Sequence, residues 1–294
     1  MKLEGIFVPN VTPFDERGEI QYEALADLVE FWLEAGVSGL VVNASTGEGP
    51  LLSREEKRVL IEFVKEKVDG RGMVIAGTGA IGTRETIELT RDARDLGADA
   101  ALVTTPFFFK PTEEELLDHF IALDAAVDLP FILYNVPKFT GYTVAPRLVD
   151  RISRECANMV GIKDSNGSPG AMAENIRLFG DRVSVLSGAA DMTLPTLGLG
   201  GRGAILAVAN FIPEVCVGLH GAARRGDLEE AGRSQQLVSY VNKVLVQEHP
   251  QVAAVKAALG LKGRAAGIPR RPLKPLTEDM RDNVLRDLQN VGLL

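Results

Sequence analysis

Histidine and cysteine are nearly missing from this 294-residue chain, which has three of the first and two of the second. Cys156 and Cys216 have no CxxC neighbour and no histidine at ligand spacing, so neither a disulfide staple nor a zinc site is expected. They read as buried thiols of a reducing compartment, and no role is assigned to them. Basic clusters are lacking too. The formal net charge is −8 and the Lys and Arg residues are scattered, which leaves no footprint for nucleic acid or an anionic membrane surface. No apolar run is long enough to span a bilayer, and "MKLEGIFVPNVTPF" breaks its apolar residues with an acid and two prolines, unlike a signal peptide. The expectation is a cytoplasmic protein with neither a nucleic-acid nor a membrane partner.

What the chain does have is a repeat. Short apolar, β-rich runs start at Gly5, Gly39, Met73, Ala101, Pro130, Met159, Ser184 and Gly203, and their starts lie 19 to 34 residues apart. Each interval leaves room for one crossover helix. Near-continuous apolar strands mean burial on both faces, as in a parallel sheet covered by helices. Helical patterns fill the gaps. "YEALADLVEFWLEAG" closes on Gly36, and the helix after Ser53 carries Glu56 at the capping-box position. "TRETIELTRDARDLG" has Thr83 as candidate N-cap and Glu85 as a first-turn acid. Eight βα units in about 225 residues point to an α/β TIM (β/α)8 barrel, with an open doubly wound sheet as the competitor. Past Asp227 the strands stop and helical patterns continue. The expected division is a catalytic barrel over residues 1–226 and a C-terminal helical appendage over 227–294, packed on the barrel.

In such a barrel, chemistry belongs at the C-terminal ends of the strands. Those ends carry Asn10, Thr12, Ser45, Thr46, Glu48, Thr78, Thr105, Tyr134, Asn135, Lys163, Asp164, Ser187 and Asn210, with no histidine among them. Metal-dependent aldol chemistry and a Ser-His-Asp site therefore lose a needed ligand or base. Lys163 is the one lysine inside a predicted strand, "MVGIKDS". Burial disfavours the charged amine, and a neutral amine attacks a carbonyl to form an imine. The residues alone leave open an ion pair with Asp164 or a side chain reaching outward to water. Tyr134 ends the preceding strand, where a phenol suits proton transfer or plain packing. Ser45 and Thr46, with the amides around Gly47, suit a carboxylate or an ordinary turn. The glycines of "GLGGRGAI" precede the eighth strand and read as a tight helix-to-strand connection, not a phosphate cradle.

Taken in order, "GIFVPNVTPF", "STGE", "AGTGA", "GADAALVTTPFFFKP", "ILYNVPKFTG", "GIKDS", "LSGAAD" and "GAILAVAN" resemble the motifs of the dihydrodipicolinate synthase and N-acetylneuraminate lyase family along essentially the whole chain. The resemblance implies a TIM barrel and class I, Schiff-base chemistry on pyruvate or pyruvate-derived imines, without metal or organic cofactor. It makes Lys163 the imine-forming residue and Tyr134 the proton shuttle. Ser45 and Thr46 match the hydroxyl pair that binds the keto acid's carboxylate and connects to the shuttle. Gly188 and the backbone of Ile205 match residues lining the same pocket. A homotetramer built from dimers is implied as well.

Two positions depart from the pattern of true dihydrodipicolinate synthases. The arginine that follows "YNVP" and fixes the aldehyde substrate's carboxylate is replaced by Phe139, after Lys138. The relay tyrosine contributed across a subunit interface is replaced by Phe108. Both losses weigh against that synthase activity, and "GIKDS" and "LAVAN" are similar to members that cleave 4-hydroxy-2-oxo acids or 2-keto-3-deoxy sugar acids into pyruvate and an aldehyde. The expected partners are therefore a 2-oxo acid and an aldehyde. The alternatives are the synthase itself, with Lys138 or another cation receiving the aldehyde's carboxylate, and a pyruvate-binding protein without turnover.

Overall fold

The computed structural model describes residues 1–294, and its eight strands close into a parallel barrel in chain order. The strands are β1 (Gly5–Val8), β2 (Gly39–Val42), β3 (Met73–Gly77), β4 (Ala100–Thr104), β5 (Phe131–Asn135), β6 (Met159–Asp164), β7 (Ser184–Ser187) and β8 (Gly203–Ile205). All eight fall on the runs that the apolar patterning marks. The open doubly wound alternative is excluded, because β1 pairs with β8 in the register Gly5 to Gly203 and Phe7 to Ile205. Closure at that seam needs Gly203, since a Cβ there would overlap the Gly5 carbonyl oxygen.

Around the barrel run α1 (Tyr22–Glu34), α2 (Arg54–Val68), α3 (Thr83–Asp95), α4 (Glu113–Ala126), the single turn α5 (Pro137–Thr140), α6 (Pro146–Glu155), α7 (Pro169–Phe179), α8 (Thr193–Gly198) and α9 (Pro213–Arg225). Beyond them lie α10 (Leu228–Asn242), α11 (Gln251–Leu261) and α12 (Glu278–Gln289). Strand parity sorts the core into two layers. Phe7, Val41, Ile75, Leu102, Ile132, Leu186 and Ile205 fill the barrel interior. Ile6, Val8, Leu40, Val42, Leu133 and Ile162 face the helices, in a cluster that also holds Val238, Val255, Leu259 and Val284 of the appendage. Each such aliphatic side chain, fully buried, contributes about 1.5–3 kcal/mol.

The capping box of α2 is present, with Ser53 Oγ accepting from Glu56 N and Glu56 Oε2 accepting from Ser53 N. The α3 cap is different from expectation. Gly82 is the N-cap and Thr83 is the first helical residue. The physical reason is competition for the hydroxyl: Thr83 Oγ1 shares a 2.9 Å hydrogen bond with His119 Nδ1 of α4. Thr86 closes the turn in its place, accepting from Ala80 N and donating to Gly82 O.

His119 is buried, its Nε2 has no partner, and burial pushes its pKa down to about 4. The unfolded chain binds that proton near the ordinary 6.5. Between those values the unfolded state holds more protons than the native one, so stability falls as pH drops, by up to about 3 kcal/mol. Urea melts at pH 7 and pH 4.5 should show this loss, and the His119→Gln variant should lose less over the same interval.

Candidate active site

Tyr134 of β5 lies level with Lys163 of β6, and Asn135 lies level with Asp164. Because Ile162 faces the helices, parity turns Lys163 inward, and Tyr134 belongs to the interior layer. Lys163 is 3% exposed, and its Nζ stands 4.0 Å from the centroid of the Tyr134 ring. The ion pair with Asp164 that the residues alone leave open does not form. Instead the Asp164 carboxylate accepts from Asn135 Nδ2 at 3.0 Å, Asn175 Nδ2 at 2.8 Å, and Asn166 N and Nδ2 at 2.9 and 3.2 Å. Burial raises the Asp164 pKa, with the amide donors of Asn166, Asn175 and Asn135 pulling the other way. This cage lies outside the barrel wall and ties β5, β6 and α7 together, which fixes where Tyr134 and Lys163 emerge inside. The outward reach of Lys163 to water is also absent.

Gly188 follows β7 and is held by its N–H to Asp164 O at 2.8 Å. A Cβ at this position would overlap Ser165 Oγ and stand 3.0 Å from Lys163 Cε and 3.1 Å from Lys163 Cγ. The space a side chain would need is thus taken by Ser165 Oγ and bordered tightly by the lysine stem. Gly188→Ala should fold but lose most turnover, because the Ser165 hydroxyl must move and the lysine stem beside it must give by a few tenths of an ångström; a thermal melt beside a rate measurement checks it. Ser165 Oγ is itself buried without a partner, and sequence reading assigns it no part. Ile205 closes the interior layer as the last residue of β8.

Ser45 and Thr46 lie in the loop between β2 and α2, which Thr12 Oγ1 secures by donating to Gly47 O at 2.8 Å. Ser45 is half-buried and its side chain makes no hydrogen bond within the protein. Thr46 is buried, and its Oγ1 accepts from Gln251 Nε2 at 3.3 Å. Glu48 adopts a left-handed backbone, φ 60°, and its carboxylate is fully buried. Lys256 Nζ of α11 meets Glu48 Oε1 at 2.5 Å and also donates to Ile268 O at 2.8 Å, while Arg270 N donates to Glu48 Oε2 at 2.7 Å. Desolvation lowers the Lys256 pKa to about 8, with Glu48 opposing the shift. The appendage therefore holds the β2 loop directly. Sequence reading misses Lys256 and Gln251; the one signal is a lysine inside the apolar "QVAAVKAALGL".

Ser45, Thr46, Tyr134, Lys163, Gly188 and Ile205 stand at or just beyond the C-terminal strand ends, on one rim of a parallel barrel. On the same rim Phe139 of α5 is half exposed, with Lys138 Nζ 5.7 Å from its ring centroid. Phe108 is 84% exposed on a left-handed backbone, φ 76°, edge-on to Phe109 at 5.0 Å. A depression of about 320 Å³ lined by Thr83, Phe109, Lys110 and His119 includes none of the proposed site residues. No helix is long and apolar enough to cross a membrane.

The dihydrodipicolinate synthetase family model matches residues 2–291. The chain is 40% identical to the 4-hydroxy-tetrahydrodipicolinate synthase of Syntrophus aciditrophicus, over 99% of both chains, and 39% identical to that of Methanopyrus kandleri, over 100% of this chain and 98% of the relative. Among solved structures, dihydrodipicolinate synthase from Thermotoga maritima superposes with a TM-score of 0.95 at 35% identity over 100% of both chains. A prophage protein of the dihydrodipicolinic acid synthase family from E. coli K12, solved in complex with pyruvate, superposes with a TM-score of 0.95 at 34% identity over 99% of both. The chain thus belongs to the dihydrodipicolinate synthetase family and is a pyruvate-dependent lyase of the class I aldolase type.

Proposed function

We propose that Lys163 bonds the C2 carbonyl of a 4-hydroxy-2-oxo acid or 2-keto-3-deoxy sugar acid, which the enzyme cleaves to pyruvate and an aldehyde or forms from them. The observation that carries the reading is the buried, unpaired Lys163 beside the Tyr134 ring inside the barrel. The amine adds to C2 and water leaves, giving a protonated imine. Tyr134, a phenolate once it has given its own proton to the hydroxyl that leaves as water, removes the proton of the C4 hydroxyl, the C3–C4 electron pair moves into the imine, and the aldehyde departs. The resulting enamine takes a proton at C3, and water then releases pyruvate and restores the amine. Ser45 and Thr46 hold the C1 carboxylate, while Gly188 and Ile205 shape the wall beside the lysine.

Phe139 favours this aldehyde partner, since an aromatic ring cannot clamp a second carboxylate. The names of the relatives favour a second reading, condensation of pyruvate with aspartate semialdehyde, with Lys138 receiving that carboxylate. A panel decides between them: pyruvate release from 4-hydroxy-2-oxo and 2-keto-3-deoxy acids, against pyruvate consumption with aspartate semialdehyde. Faster turnover of the semialdehyde would overturn the first reading. The homotetramer is proposed as the working state, and the exposed Phe108 and Phe109 pair supports association of copies at that loop, because neighbouring exposed aromatics gain by being covered. Light scattering on the purified chain tests that assembly.

A further inference from the structure

The first residue of α11, Gln251, joins two loops that are not neighbours around the barrel. Its Nε2 lies 3.3 Å from Thr46 Oγ1, after β2, and its Oε1 lies 3.3 Å from Lys138 Nζ, in the turn after β5. Two strands separate β2 from β5 in the closed sheet, so the contact chain spans part of the mouth.

We infer that Gln251, oriented by Lys138, sets the Thr46 hydroxyl as a hydrogen-bond donor to the substrate's carboxylate. The inference rests on the reading that Thr46 holds that carboxylate. An ammonium group can only donate, so the amide end facing Lys138 is the carbonyl oxygen. The other end is then the NH₂, which can only donate to Thr46. A threonine hydroxyl has one proton and two lone pairs. With a lone pair taken by Gln251 and no other protein hydrogen bond to Thr46 Oγ1, its proton is left for an acceptor, and a carboxylate offers acceptors alone. Without the lysine, either end of the amide could face Thr46, and a carbonyl there would draw the proton away from substrate. The position of Gln251 is secured from below: Lys256, on the same helix, is anchored in the buried contact to Glu48 and to Ile268 O. Lys138 and Gln251 are thereby positioning residues for substrate capture.

The test measures the pyruvate concentration that half-saturates borohydride trapping of the enzyme, which needs no aldehyde. Gln251→Glu replaces the NH₂ with a second acceptor, so the Thr46 proton turns towards it. The half-saturating concentration should rise at least about ten-fold, the value of one hydrogen bond to a charged group. A negative charge near substrate could raise it for a different reason, so the same change is made on Thr46→Val. With no hydroxyl to misdirect, Gln251→Glu should then add little, and a double-mutant cycle reads the coupling. Lys138→Met should give a smaller rise that likewise vanishes on Thr46→Val. An undiminished effect of Gln251→Glu on the valine background, or no effect on the native one, overturns the inference. If Thr46→Val itself leaves pyruvate capture unchanged, the carboxylate reading of Thr46 fails, and the inference with it. Both Lys138 and Gln251 lie at the surface end of the site, and a melting curve for each variant confirms folding.

Discussion

Lys163→Ala should abolish borohydride trapping with pyruvate and lower turnover by on the order of 10⁴-fold or more, the scale on which removing a covalent nucleophile acts. Nothing else on the rim can replace it. The other buried lysine, Lys256, is committed to Glu48 and Ile268 O, and Lys138 is exposed. Lys163→Arg should fail equally, since a guanidinium stays protonated and is no nucleophile. Tyr134→Phe separates the two proposed roles. It keeps the ring beside the amine but removes the phenol, so trapping should persist while turnover falls. Intact mass after reduction, beside a steady-state rate, reads both. Full turnover by Lys163→Ala would end the imine mechanism for this chain.

Lys256→Met should destabilise the fold by about 3–5 kcal/mol, because it leaves the Glu48 carboxylate buried without its cation. Arg270 N would still donate to Glu48 Oε2, but one amide does not neutralise a charge. The double variant Lys256→Met with Glu48→Gln should recover much of the loss, since neutralising both members removes the uncompensated charge. Urea denaturation of the two variants gives the comparison. Equal stability of the single variant and the native chain would mean that water reaches Glu48 despite its burial. A second effect is expected at the site: with the α11 anchor gone, Gln251 should lose its fixed distance to Thr46, and on the proposed role of Thr46 pyruvate capture should weaken in whatever fraction remains folded.

The barrel was legible because each strand is buried on both faces, so its apolar run is unbroken and its length and spacing are visible locally. Lys163 and Tyr134 were legible for the same reason: a charged and a phenolic group at the ends of such runs contradict their surroundings. Thr83 was misread as a cap because the group that claims its hydroxyl, His119, is 36 residues away. Gln251 and Lys256 were invisible in a stronger sense. Their partners, Thr46 and Glu48, are 205 and 208 residues distant, and a helical lysine or glutamine reads locally as solvated. Ser165 gave no signal because a serine after a strand suits an ordinary turn.

The buried pairing of Glu48 with Lys256 also has a consequence in time. On a ribosome the barrel strands emerge first, and the β2 loop carries its carboxylate for some two hundred residues of synthesis before the matching ammonium leaves the exit tunnel. Until then that loop holds an unmatched charge that favours water over the interior. A nascent chain can close its cylinder in outline, but the β2 loop meets its buried partner only when α11 arrives.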